Sequence, residues 1–333
     1  MKNRSRRLLR GSARRSFTRR ALPQMGARTS AWIRTGLIQL RSPRTRSEWS
    51  AGYALLLPAL LLLVTWFLYP VAQLFLLSFQ TVSKFHFSDR TFVGFANYAY
   101  LLQDPAFANS LRIMLVFVLL VVPAQTVLSL LLASVLQSVG RAKVVFRTAF
   151  FVPYMTSTVA VTTVFMQLFV AGAPAASAAA VLGLPNRTWY ADVKLALPFL
   201  VLVYVYMYIG LYIVTFVSGL QTIPRELYEA ATVDGANAWA RFRYVTVPGL
   251  RPFVLFVVVA GLIQAIQVFD QAYIITGGSV LGSPAGATAT LVIFIYQQAF
   301  RLNALGYGSA AAVLLLLIVF LGTWLTRRIL REE

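Results

Sequence analysis

The chain of 333 residues is 59% hydrophobic and 12% charged, with a mean hydropathy of +0.72. Soluble domains carry about 25% charged and ~45–50% apolar residues, so this composition is that of an integral membrane protein. The lack of cysteine excludes disulfides and thiolate chemistry, and the single histidine, His86, excludes a multi-histidine metal site, so no metal ligand set is expected.

The net charge of +20 is unevenly placed. Fourteen of the thirty Lys and Arg residues precede Glu48, from Lys2 to Arg46. A basic tail ahead of an apolar span holds the N-terminus in the cytoplasm, near anionic lipid heads, and this distribution argues against a nucleic-acid arm. Residues 1–50 therefore read as a basic cytoplasmic tail whose composition predicts disorder, and residues 51–333 as the transmembrane domain.

Six segments then meet the need of a membrane helix for about 20 mostly apolar residues: Gly52–Leu77, Ile113–Leu136, Ala149–Val170, Leu195–Leu220, Phe253–Tyr273 and Gly306–Thr326. Pro58, Pro70, Pro123, Pro153 and Pro198 fall in or near them, which a packed bundle tolerates because neighbouring helices re-satisfy the freed backbone groups. The expected fold class is all-α and polytopic, with about six transmembrane helices. With the N-terminus inside, 24 Lys and Arg residues face the cytoplasm and 6 face out; without the tail the split is still 10 to 6. Both termini are thus expected to be cytoplasmic. Ala287–Phe300 is apolar but short, and reads as an interfacial or re-entrant helix on the outer side rather than a seventh span.

The loop between the fourth and fifth spans, about 221–250, holds three of the ten acidic residues: Glu226, Glu229 and Asp234. Pro224 and Glu226 suit a helix start, and Asp234-Gly235 breaks the helix, with Gly235 free to take positive φ. Asn237 can cap a second short helix carrying Trp239 and Phe242 on one face, and Pro248 is expected to stop it. An acidic first helix fits an anionic inner leaflet badly, so a protein partner suits this loop better than lipid.

"EAATVDGANAWARFRYVTVPGL", Glu229–Leu250, resembles the EAA loop of permease subunits in bacterial ABC importers. Glu229, Ala230 and Ala231, then Asp234, Gly235 and Ala236, then Pro248, match its elements, with Val245 and Val247 where the family often has Ile and Leu. "FVGFANY" (Phe92–Tyr98) and "VFDQAYIITGG" (Val268–Gly278) followed by "ATATLVIFIYQQAF" resemble the carbohydrate branch, while "GGSVLGSPAGAT" departs from the branch's Gly-Gly-Pro. The resemblance covers most of the chain after Gly52. It implies the type I ABC importer permease fold and a bacterial inner-membrane location. It also implies a coupling helix docked on a separate ATPase through Glu229, and an assembly of two permease subunits, two ATPase subunits and an external solute-binding protein delivering a sugar. ATP and magnesium would belong to the ATPase, and no cofactor is expected here: a phosphate-binding loop needs a Gly-Lys pair, and none occurs.

Polar side chains inside membrane helices usually face the bundle interior or a pathway. Gln264, Gln267 and Gln271 share one face at helical spacing, with Asp270 beside them, and Tyr204, Tyr208 and Tyr212 share another. Amides, a carboxylate and aromatic faces are what a sugar pathway needs. The same groups also bond helices to one another, at about 0.6 kcal/mol each, so both stripes have two readings. An intramembrane enzyme lacks its constellation, and an ion-driven carrier would need neither the two-helix dock nor so few intramembrane acids. Within importers the alternative is a permease for glycerol-phosphate or another polar solute, disfavoured by the absence of a buried Arg or Lys in the pathway.

The charge asymmetry generates a topology test. In separate variants, Lys194→Cys should react with an impermeant thiol reagent on intact cells and Arg141→Cys should not; labelling of the second alone would invert the orientation.

Overall fold

The computed structural model describes residues 46–82, 90–138, 143–277 and 282–331. The basic tail before Arg46, His86, Arg141 and residues 278–281 of the outer loop lie outside the described residues. The chain divides into two compact units, residues 1–66 and 67–333.

In the first unit the described residues form α1 (Arg46–Leu63), which passes into a π-helical turn, Val64–Leu68. Its side chains are apolar on every face: Leu55 is 83% exposed and Trp66 81%. A helix that is hydrophobic all round belongs in lipid or a core.

The second unit begins with the remainder of that span, α2 (Tyr69–Ser78). A two-stranded antiparallel ribbon follows, β1 (Gln80–Thr81) with β2 (Thr91–Phe92), paired Gln80 to Phe92. Here the "FVGFANY" segment has a structural task. Gly94 turns with φ +55°, and α3 (Ala96–Gln103) begins. Asn97 donates from Nδ2 to the carbonyls of Ser78 and Gln80 at 2.9 and 3.1 Å, and Tyr98 donates to Ser78 Oγ at 2.7 Å. The end of α2 thereby gains partners for carbonyls that a helix terminus leaves open.

The bundle comprises α4 (Pro105–Ser138), α5 (Lys143–Met155), α6 (Thr158–Leu168), the short outer α7 (Pro174–Val181) and α8 (Ala196–Leu220). After the loop come α9 (Arg225–Val233), α10 (Ala238–Arg241) and α11 (Val247–Gly249). Next are α12 (Arg251–Ile266), α13 (Asp270–Ile275), α14 (Leu291–Tyr296) and α15 (Leu305–Arg331). Helix α8 is the central post, flanked by α4 and α5. One core cluster gathers Phe117, Phe199, Tyr204 and Phe294; a second, towards the loop, gathers Tyr212, Phe216, Leu250 and Val257. Gly210 lets the Phe150 carbonyl of α5 lie directly against α8. Close backbone approach through small residues is how membrane helices pack without a hydrophobic drive between them.

Among the described residues, five helical segments are long and apolar enough to cross a membrane, and a sixth, Val144–Met155 with Thr158–Leu168, is bent by 100°. The expected continuous third span is therefore broken at 156–157, a few residues beyond Pro153, which lies inside the last turns of α5. The expected fifth span is also interrupted, at 267–269, between α12 and α13. Ala287–Phe300 supplies no seventh span: α14 and the π-helical turn Gln297–Arg301 tuck against α4 and α15, with Leu291, Ile293 and Phe294 buried, so the segment sits in protein rather than on an interface. In the outer connection after α6, Asp192 accepts the Lys194 backbone N–H at 2.9 Å and the Arg187 guanidinium at 3.1 Å, which holds its carboxyl below the usual range.

A Cβ at Gly210 would overlap the Phe150 carbonyl, and neither backbone can yield cheaply. Gly210→Ala is expected to cost about 1–3 kcal/mol and to lower the unfolding temperature in detergent. Gly52→Ala, where a Cβ meets nothing within 4 Å, should leave that temperature unchanged.

Candidate functional site

Two places in the second unit concentrate polar chemistry. The first is the 221–250 loop. Helix α9 ends as glycine-capped helices do: the Ala236 N–H reaches the Ala231 carbonyl at 2.9 Å and the Gly235 N–H that of Thr232 at 3.1 Å, with Gly235 at φ +77°. Asn237 then caps α10, its Oδ1 accepting the Ala240 N–H at 2.8 Å. Pro248, expected to stop this helix, does not. The path runs on through a π-helical turn, Phe242–Thr246, into α11, with Pro248 in that helix's first turn. The wider turn resets the hydrogen-bond ladder and removes the clash a proline makes with the carbonyl four residues back.

Glu229, Ala230, Asp234 and Pro248 are exposed; Ala231 and Ala236 are half-buried at the elbow. Glu229 pairs with no cation among the described residues. Around it, Leu227, Val233, Trp239 and Tyr244 are 52%, 88%, 69% and 75% exposed, with Trp239 stacked on Phe242 at 5.7 Å. Exposed aromatic side chains of this kind are enriched at protein interfaces, and Glu229 stands exposed among them.

The second place is where both broken spans meet. Helices α6 and α13 pack together, and a cleft of about 340 Å³ opens between them, lined by Ser157, Thr158, Val159, Asp270, Tyr273 and Ile274. Ser157 precedes α6 in extended conformation, and Asp270 occupies the first turn of α13, where a carboxylate is electrostatically favoured. The break before Asp270 has a partner: the freed Val268 carbonyl accepts Thr290 Oγ1 at 3.1 Å, and Thr290 also caps α14. Tyr273 stacks on Phe269 at 5.3 Å and meets Tyr296 edge-on at 5.7 Å, so its ring is held.

A family model described as binding-protein-dependent transport system inner membrane component matches residues 50–332. The chain belongs to that family. Among relatives of this permease, the arabinooligosaccharides transport system permease protein AraP of Bacillus subtilis is 30% identical over 279 residues, covering 82% of this chain and 86% of its own. The sn-glycerol-3-phosphate transport system permease protein UgpA of Pectobacterium atrosepticum is 32% identical over 279 residues, covering 83% and 92%. Among solved structures, a bacterial ABC transporter involved in the import of the acidic polysaccharide alginate superposes with a TM-score of 0.70 over 85% of this chain and 97% of that one, at 20% identity, a likeness of fold.

The permease does not keep its three glutamines on one helix. Gln264 lies on α12 and accepts the Tyr212 hydroxyl at 3.2 Å; Gln267 stands exposed at the break and faces a groove shared with α15; Gln271 is buried on α13, its amide 3.5 Å from Met207 Sδ. Of the three tyrosines, Tyr204 and Tyr212 are buried and Tyr208 is half-buried, its ring tilted 35° to that of Tyr204 at 4.5 Å and edge-on to Tyr154 at 6.0 Å. Asp270 is exposed in the cleft. Sequence reasoning passes over Gln125, which is fully buried on α4, packed on Gly261 beside the Tyr212 hydroxyl, with no hydrogen-bond partner on either amide atom. Its signal was there: a lone amide in an apolar span.

The Asn237 cap can be tested on its own. Asn237→Ala should cost about 1 kcal/mol at this helix start and speed hydrogen exchange in a peptide covering 238–246, while Asn237→Asp should keep most of the protection.

Proposed function

We propose that this permease pairs with a second permease subunit in a bacterial inner membrane, termini in the cytoplasm, to import a sugar delivered by an external solute-binding protein. Two separate ATPase subunits bind ATP and magnesium and drive the cycle through the 221–250 loop. This chain is a transport subunit and hydrolyses nothing itself. The reading rests on one observation above all: an exposed, unpaired Glu229 among exposed aromatics, on a loop matching the family's dock residue by residue.

The solute path runs past the cleft at the helix breaks. Asp270, Ser157 and Thr158 supply a carboxylate and two hydroxyls there, and the fixed Tyr273 ring offers a flat face of the kind that stacks on the apolar side of a sugar. Gln267 and Tyr208 extend the polar lining; Gln264, Gln271, Tyr204 and Tyr212 support the helices behind it. The likeness to UgpA favours a second reading, a glycerol-phosphate. The cleft's charge speaks against it: the one charged residue lining it is the anion Asp270, and no cation among the described lining residues would meet a phosphate.

If Glu229 meets a cation in a largely buried groove of the ATPase, losing it costs about 2–5 kcal/mol, mostly from the charge left unpaired. Glu229→Lys should then abolish co-purification of the ATPase while leaving membrane insertion intact; normal co-purification and solute-stimulated hydrolysis would refute the dock. Asp270→Asn should raise the solute concentration for half-maximal transport several-fold with assembly unchanged, and unaltered transport would remove the cleft from the path.

A further inference from the structure

Two flexible short helices joined by a glycine elbow would make a poor lever unless something stiffened them. The elbow itself does not: Gly235 is exposed, and a Cβ there would meet nothing within 4 Å. What crosses it is a pair of side-chain bonds. Tyr228 on α9 bonds Thr246 at 3.0 Å between hydroxyl oxygens, and Arg241 on α10 donates to Thr232 Oγ1 on α9 at 3.0 Å.

The first of these is the protected one. Thr246 is 6% exposed and Tyr228 half-buried, whereas the Arg241–Thr232 bond lies in the open. Thr246 closes the π-helical turn, and its Oγ1 lies 3.5 Å from the Arg241 carbonyl, so the pair of hydroxyls sits against the backbone of α10. π-Helical turns of this sort recur at functional positions because they are strained relative to an α-helix and need local support.

Beyond Thr246 the chain is pinned. Gly249 lies against Ile223, and Gly219 against the Phe253 ring and Leu250, at separations that leave no room for a Cβ. Leu250 is fully buried. From Arg251 the helix runs 16 residues to Ile266, about 24 Å at 1.5 Å per residue, and the break and the cleft follow directly.

We propose that the Tyr228–Thr246 hydrogen bond is a strap that joins the first dock helix to α12, so that a displacement imposed on the dock moves the cleft end of α12 instead of being absorbed at the glycine elbow. Tyr228 and Thr246 are assigned as positioning residues: one is half-buried and the other buried, behind the exposed surface of the loop. The proposal rests on the dock reading above. An open cavity of about 300 Å³, lined by Ser134, Gln137, Leu220, Tyr228, Phe242 and Thr246, lies behind the strap. Once the bond is lost, the Tyr228 ring has space to move, and slack enters the loop.

The test uses the whole complex, with both permeases, both ATPases and loaded binding protein, reconstituted in vesicles, and reads solute imported per ATP hydrolysed. Tyr228→Phe keeps the ring's packing against the buried cluster at the base of the loop and removes one oxygen; Thr246→Val keeps the shape and removes the other. Each is expected to lower the ratio about three- to tenfold, the worth of one neutral hydrogen bond. The double variant should fall no further than either alone, and Thr246→Ser should restore the ratio. Glu229→Lys in the same assay separates the two ideas. If Glu229→Lys blocks ATPase association while both single variants keep the wild-type ratio, the strap is wrong and the dock stands. If Glu229→Lys leaves association and coupling intact, the dock fails and the strap with it. Additive losses in the double variant, or no rescue by serine, would also overturn the strap.

Discussion

A backbone group broken out of a helix has no water to turn to in hydrocarbon, and leaving it unpaired costs several kcal/mol. That constraint governs this permease. Two of its apolar spans are interrupted, at 156–157 and at 267–269. Each break must therefore be covered by protein or face a polar cavity. Both happen here. Thr290 satisfies the Val268 carbonyl, and the two breaks are brought side by side to form a cleft with a carboxylate and two hydroxyls. The first span carries a π-helical turn of its own, Val64–Leu68, whereas these two breaks meet at a polar cleft.

The rest of the fold holds those breaks in register. Helix α8 supplies a largely buried post, and α5 is set tightly against it by Gly210. The end of the bundle where α2 stops is secured by Asn97, by Tyr98 and by a bond from the Tyr307 hydroxyl to Asp104 at 2.9 Å. At the other end, Gly219 and Gly249 bring the base of the loop within van der Waals contact of α12 and of Ile223. The proposed dock and the proposed solute cleft thus lie beyond the two ends of one helix, α12, which is the simplest geometry by which work done at one could be felt at the other.

Much of this was legible in the sequence, and the exceptions have physical causes. Apolar runs of 20 residues, Gly235, Asn237 and the helix-favouring stretch after Pro224 are local signals, and the structure places them as read: six apolar crossings with one bent, a glycine-capped α9, and an Asn237-capped α10. Pro153 warned of a disturbance but not of a 100° bend, since a proline's effect depends on what its neighbours offer the freed groups. The break at 267–269 carries neither proline nor glycine. It is stabilised by Thr290, 22 residues further on, and no periodicity argument can see such a partner; the glutamine stripe was drawn across it for that reason. Pro248 misled because a π-helical turn is invisible in composition. Gln125 needed only that every amide in an apolar span be questioned.

The central claim, that the dock governs the cleft, has a direct measurement. The chain has no cysteine, so a single Val159→Cys at the cleft reports alone. Its labelling rate by a small polar thiol reagent would be compared in the assembled complex without nucleotide and with a trapped ATP analogue, using cysteine-free partners. The account predicts a rate that changes several-fold between the two states, and a difference that disappears when Glu229→Lys uncouples the dock. Equal rates in both states of a transport-competent complex, or a difference that persists with the dock disabled, would contradict it.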